Sequence, residues 1–142
     1  MSKLTKHATG KALIALLATA PGLALAAGDG CSLQTLKGSY IFSASGFTIV
    51  SGVALPKTIV ELIDFSGDGT LFSPGGTRSI NGDVVPTAPG PGVYTLDADC
   101  RGTLTFTPGP HFDIYVTSSK EVTMMQTDQN NVFQGTVKVF RR

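Results

Sequence analysis

From residue 38 onward, short runs of strand-forming residues are cut by Gly, Pro, Asp and Asn clusters about every 8 to 15 residues. That spacing predicts antiparallel strands joined by hairpins and leaves no room for ordinary helices. The clearest unit is Gly92 to Thr107, GVYTLDADCRGTLTFT. Thr and aromatic residues fill its strand positions, Asp99, Arg101 and Gly102 supply the turn, and Cys100 sits at the bend.

Before the first strand, Ser32 to Gly38 reads as one helical turn, capped by Ser32 and ended by Gly38. Ser39 to Ser45 is the first strand, with Tyr40, Phe42 and Ala44 on one face. Gly46 and Gly52 bracket a separate short strand, Phe47 to Val50. Pro56 divides it from Lys57 to Phe65, KTIVELIDF. Ser66 to Gly69 is a hairpin turn, Thr70 to Ser73 returns, and Pro74-Gly75-Gly76 turns again before a weak strand at Thr77 to Ile80. Gly82 to Pro91 holds three prolines and reads as a long loop. Pro108 to Pro110 is a stiff turn. Strands follow at His111 to Thr117, Glu121 to Thr127 and Val132 to Phe140. Hairpin turns followed by Gly-Thr-apolar recur every 33 residues, at Gly69, Gly102 and Gly135, as a good hairpin unit would. Sequential hairpins predict an all-β fold: one antiparallel, up-and-down β-barrel of about eight short strands.

Residues 1–26 carry Lys3, Lys6 and Lys11, an apolar run from Ala12 to Leu25, and Ala24-Leu25-Ala26 as a small-x-small site. This is the pattern of a secretory signal peptide, and the run is too short for a membrane anchor. Cleavage after Ala27 or Gly28 is also compatible with it. The stretch before Cys31 lacks the apolar residue of a lipobox. The expected organisation is therefore a signal peptide over 1–26, an N-terminal segment with one helical turn over 27–37, and the barrel domain over 38–142. Without the three leader lysines, 8 basic residues (11 minus 3) face 10 acidic ones, a net charge near −2. With no basic patch, nucleic acid and anionic membrane surfaces are not expected partners. The strands look too short, and Tyr too scarce, for an outer-membrane barrel, so stable membrane insertion is not expected. The destination is the periplasm or the outside of the cell.

The two cysteines of an exported chain, Cys31 and Cys100, are expected to form one disulfide. The alternative is a pair of buried free thiols. The loop so closed, about 70 residues, corresponds to roughly 4 kcal/mol in the chain-entropy model.

The motifs Leu36-Lys37-Gly38-Ser39-Tyr40, Asp64 to Gly69, Gly92 to Thr103 and Gly135 to Lys138 resemble a family of small secreted bacterial proteins of unassigned function. The resemblance spans nearly the whole mature chain, and it implies a fold rather than a chemistry. More distantly the chain resembles calycins. Gly38-Ser39-Tyr40 is similar to the lipocalin Gly-x-Trp signature, with Tyr in place of Trp, and Arg141 is the candidate for the late arginine that packs on it. The allene-oxide-cyclase and dirigent barrels are an equally distant likeness.

Few residues suggest chemistry. Asp64 to Gly69 resembles a calcium loop, but Gly75 stands where a bidentate Glu is required and strands flank it. No metal site or cofactor is expected, and no nucleophile motif is present. Glu61 alternates with Ile59, Ile63 and Phe65, so one carboxylate lies on an otherwise apolar strand face. If that face is the lumen, Glu61 is a candidate acid or base, with Ile59, Ile63 and Phe65 as ligand-contacting residues. His111, Asp113 and Tyr115 share another face, which reads as a solvated outer row. The expected function is non-catalytic: an exported barrel binding a small apolar ligand, or a structural or surface-interaction module. The alternative is a barrel enzyme of the cyclase or isomerase type. There Glu61 would act on an apolar substrate under a lid formed by Gly82 to Pro91.

Overall fold

The strand alternation resolves into one closed sheet. A computed structural model describes residues 30–118 and 121–141, so the leader reading of residues 1–26 lies outside the described residues. One 3-10 turn, η1 (Leu33–Leu36), precedes nine strands. They are β1 (Gly38–Val50), β2 (Val53–Phe65), β3 (Thr70–Ile80), β4 (Asp83–Thr87), β5 (Gly90–Tyr94), β6 (Arg101–Phe106), β7 (His111–Ser118), β8 (Glu121–Gln126) and β9 (Asn131–Val139). The ladder runs β2-β1-β9-β8-β7-β6-β5-β3, and a β2–β3 pairing closes it. This is an eight-stranded antiparallel barrel with up-and-down order, and β4 is an extra strand on β3.

Four of the expected breaks are absent. β1 runs unbroken through Gly46, because that glycine permits close approach of β9: a Cβ there would lie 1.9 Å from the Val132 carbonyl oxygen. β2 runs through Pro56. The Pro56 carbonyl accepts the Asn81 N–H, so its missing donor points to the side where β3 has just ended, and the β1–β2 ladder is untouched. β3 runs through Pro74-Gly75-Gly76 without turning: Gly75 and Gly76 pair with Leu62 and Glu61, and a bulge at Ser73-Pro74 takes up the register slip between Leu62 and Asp64. The proline-rich stretch 82–91 is not a loop. β3 carries two short partners end to end on one edge, Gly76–Ile80 with β4 and Thr70–Ser73 with β5. Pro86 is tolerated because β4 is an edge strand. The strands are also less uniformly short than expected, since β1 and β2 have 13 residues each while β6 and β8 have 6.

One end of the barrel is packed solid. Leu36 of η1 plugs it, fully buried, beneath Tyr40, Ile63, Phe65, Leu71 and Tyr94. The Tyr40, Phe65 and Tyr94 rings meet edge to face, at 5.3 Å and 5.0 Å. Tyr94 donates its hydroxyl to the Leu33 carbonyl at 2.8 Å, which ties the plug to the wall. Burial pushes both tyrosine hydroxyls above their ordinary pKa. The Cys31–Cys100 disulfide fastens the start of the segment to the β5–β6 hairpin, and the Cys31 N–H adds a bond to the Ala98 carbonyl. Such a bond is consistent with an oxidising, exported location.

Candidate functional site

The other end of the barrel is not filled. A cavity of about 910 Å3 opens there between β2, β3, β7 and the rim segments 86–91 and 107–110. Its apolar wall is aromatic. Phe42 meets Phe112 at 5.7 Å and Phe133 at 6.4 Å, and Phe106 meets Phe112 at 6.3 Å, all edge to face. A shallower hollow of about 390 Å3 lies beside the β1–β2 hairpin and carries only one charged side chain, Lys57.

Strand β2 sets the depth of everything else. Its residues 57, 59, 61, 63 and 65 alternate inward, from half-buried at the mouth to fully buried at the packed end. Ile59 and Glu61 line the cavity. Ile63 and Phe65 share their face but stand deeper, in the packed core with η1. Glu61 points inward and is 8% exposed.

Two hydroxyls hold Glu61. Ser73 donates to Oε1 at 2.6 Å, and Thr87 Oγ1 lies 3.4 Å from the same oxygen. The bulge explains Ser73. The Gly75 N–H bonds back to Ser73 Oγ at 3.1 Å, which fixes the hydroxyl with its proton toward Glu61. Among the described residues, no hydrogen bond reaches Oε2. Because no buried side-chain oxygen among the described residues lacks a partner, Oε2 is open to the cavity.

The mouth is polar. Lys57 donates to the side-chain oxygens of Gln126 at 3.0 Å and Asn131 at 3.4 Å, and its ammonium lies 4.3 Å from the Phe133 ring centre. Burial, with nearby Arg78, lowers its pKa, and Asp128 partly opposes that shift. Gln126 donates its amide to Asp128 at 2.7 Å, so Asp128 orients the amide whose oxygen receives Lys57. Asp128 also accepts the His111 backbone N–H at 2.9 Å and contacts His111 Nδ1 at 2.7 Å. The row His111, Asp113, Tyr115 faces outward from the barrel, with His111 and Tyr115 exposed. Arg141 is exposed. In the turn that resembles a calcium loop, Asp68 instead caps the hairpin, accepting from the Thr70 N–H and hydroxyl.

Sequence reasoning found Glu61 and Ile59 but missed their companions. Lys57 was within reach, since it sits four residues before Glu61 on the same alternating face. Ser73 was not, because its direction depends on the bulge. The four phenylalanines come from four strands, and only closure of the barrel brings them to one wall.

Compared with protein-family models, with curated proteins and with solved structures, the chain matches none of them. The geometry of the cavity therefore carries the functional argument.

Proposed function

We propose that this chain is an exported, non-catalytic barrel that binds a small molecule with an apolar body in its open half. The observation that carries this reading is the cavity of about 910 Å3 walled by Phe42, Phe106, Phe112 and Phe133. Pockets of roughly 300–1,000 Å3 with an apolar wall and a few fixed polar groups are the usual form of small-molecule sites. A purely structural module gains nothing from leaving half its core unpacked, since unfilled apolar space costs stability. The basic, then apolar, then small-residue leader and the disulfide support delivery to the periplasm or beyond.

The test uses mature protein and anilinonaphthalene sulfonate, an apolar anionic dye. Saturable one-to-one fluorescence enhancement is expected, and Ile59→Trp, which narrows the cavity beside Phe42 and Glu61, should weaken it without loss of fold. Absence of saturable binding, or unchanged binding in the folded Ile59→Trp protein, overturns the reading.

One observation favours a second reading, an acid–base enzyme: Glu61 is held through Oε1 while Oε2 is left open. A carboxylate so placed is positioned to take a proton from one carbon of an apolar substrate and return it to another, a net isomerisation without a co-reactant. Turnover of a bound apolar ligand that disappears in Glu61→Gln would favour it. Recovery of every bound ligand unchanged would exclude it.

A further inference from the structure

We infer that the occupant of this cavity is an amphiphile with two polar ends: an anionic head at the mouth, met by Lys57 and Arg78, and a hydrogen-bond donor at the inner end, met by Glu61. The inference rests on the binding function proposed above and specifies the ligand class.

Two cations share the mouth. Arg78 is the β3 partner of Ile59, so its side chain shares the inner face diagonal to Lys57, and both residues line the cavity. Neither makes an ion pair among the described residues. The partners of Lys57 are two neutral amide oxygens and the Phe133 ring, none of which neutralises its charge. Asp128, the carboxylate at the rim, accepts hydrogen bonds from Gln126 and the His111 backbone and keeps its charge, so it offsets part of the positive potential there. Lys57 and Arg78 outnumber Asp128 at the mouth, and that local excess of positive charge, in a mature chain whose net charge is near −2, favours an anion from outside.

The inner end has the opposite character. Glu61 Oε1 is committed to Ser73 and Thr87, and Oε2 faces the cavity. A carboxylate oxygen accepts and does not donate, so its complement is a hydroxyl or an amine on the ligand. A second carboxylate there would meet like charge. Between the two ends stand Ile59, Phe42 and Phe112, which suit an apolar body. Lys57 and Glu61 are four residues apart on an extended strand, roughly 13 Å. The ligand's polar ends are separated by a comparable length.

Calorimetry on the mature protein with decanol, decanoate, ω-hydroxydecanoate and the dianion sebacate tests this. ω-Hydroxydecanoate should bind tightest, about tenfold or more above decanol, since hydrogen bonds to charged groups are the stronger kind. Sebacate should bind more weakly than decanoate. Lys57→Met and Arg78→Gln should each erase much of the preference for decanoate over decanol, read as the ratio of the two affinities in each variant. Arg78 is exposed, so its variant keeps the test valid if Lys57→Met fails to fold. Glu61→Gln should relieve the rejection of sebacate. If decanol binds as well as the hydroxy acid, and neither cation variant changes the ranking, the two-ended ligand is wrong and the binding function stands. If none of the four binds, both fall.

Discussion

Ser73 donates its hydroxyl to Glu61 Oε1 at 2.6 Å, across the bulge that separates the two ladders of β3. The same hydroxyl receives the Gly75 N–H, so one backbone irregularity fixes the direction of the deepest charged group in the cavity. Pairing with Ser73 leaves the charge of Glu61 uncompensated. A hydroxyl satisfies one oxygen, and the other is left to whatever enters.

The pair makes a first prediction. Glu61→Gln keeps an oxygen for Ser73 and Thr87 to donate to, so its unfolding free energy should stay within about 1 kcal/mol of wild type. Glu61→Leu removes the acceptor and leaves the buried Ser73 O–H with nothing to donate to, which should cost about 1–3 kcal/mol. Urea denaturation of both variants measures the difference. Equal loss in the two would mean that charge, and not the hydrogen bond, holds this corner.

The glycine that follows the bulge makes the second. Gly75 has φ of 109°, and a Cβ there would lie 2.9 Å from the Thr87 carbonyl oxygen. Gly75→Ala should therefore destabilise the barrel by about 1–3 kcal/mol through backbone strain, with some added cost from the contact. It should also weaken ligand binding, because Ser73 and β4 move with the bulge. A variant with wild-type denaturation midpoint and binding would show that the bulge is not needed to position Ser73.

The contrast between Glu61 and Ser73 also explains what was legible in the sequence. Alternation in KTIVELIDF placed Glu61 on the face of Ile59, Ile63 and Phe65, and the barrel turned that face inward. Hairpin spacing gave the up-and-down order, because each connection joins neighbours. What misled was local punctuation. Gly46, Pro56, Pro74 and Pro86 read as strand ends, yet each sits where the lattice has a close crossing, an edge or a bulge. Those are properties of a neighbouring strand, which a single segment does not display. The aromatic wall was hidden for the same reason, since Phe42 and Phe133 belong to strands far in the chain from the β6–β7 hairpin that carries Phe106 and Phe112.

A third prediction concerns the disulfide. Cys31–Cys100 closes a separation of 69 residues and anchors η1, whose Leu36 plugs the packed end. The double variant Cys31→Ser, Cys100→Ser should lose about 2–5 kcal/mol. The loss should extend to the η1 plug, with the Tyr94–Leu33 hydrogen bond the first to open, visible as faster amide exchange over residues 31–37. Exchange unchanged in that segment would show that Leu36 and Tyr94 hold the plug without the bond.

The last prediction is the acid limb of stability, and it centres on Asp128. Burial pushes its carboxyl upward, but hydrogen bonds from Gln126 and from the His111 backbone and ring outweigh this, and the pKa ends below the ordinary value of 3.8. The folded value is thus lower than the unfolded one. Asp128 contributes stability that is fully present above 3.8 and is lost as pH falls through the lower folded value. Asp68 and Asp99 are depressed as well, but they lie fully exposed in turns that bond residues two positions away. Such local bonds are partly available to the unfolded chain, so they contribute less to the pH dependence of folding. Asp128→Asn should therefore flatten the fall in stability on acidification below that point, measured by denaturant melts at a series of pH values. The same change should reach the cavity mouth. Protonated or replaced, Asp128 no longer orients Gln126 as firmly, and the Gln126 oxygen holds Lys57. Protonation also removes the negative charge beside Lys57, so binding of an anionic dye should strengthen over the same pH interval in the wild type, and less steeply in Asp128→Asn. An acid profile identical in the two proteins would mean that other carboxylates set the limb and that the Asp128–Gln126–Lys57 chain is only a surface contact.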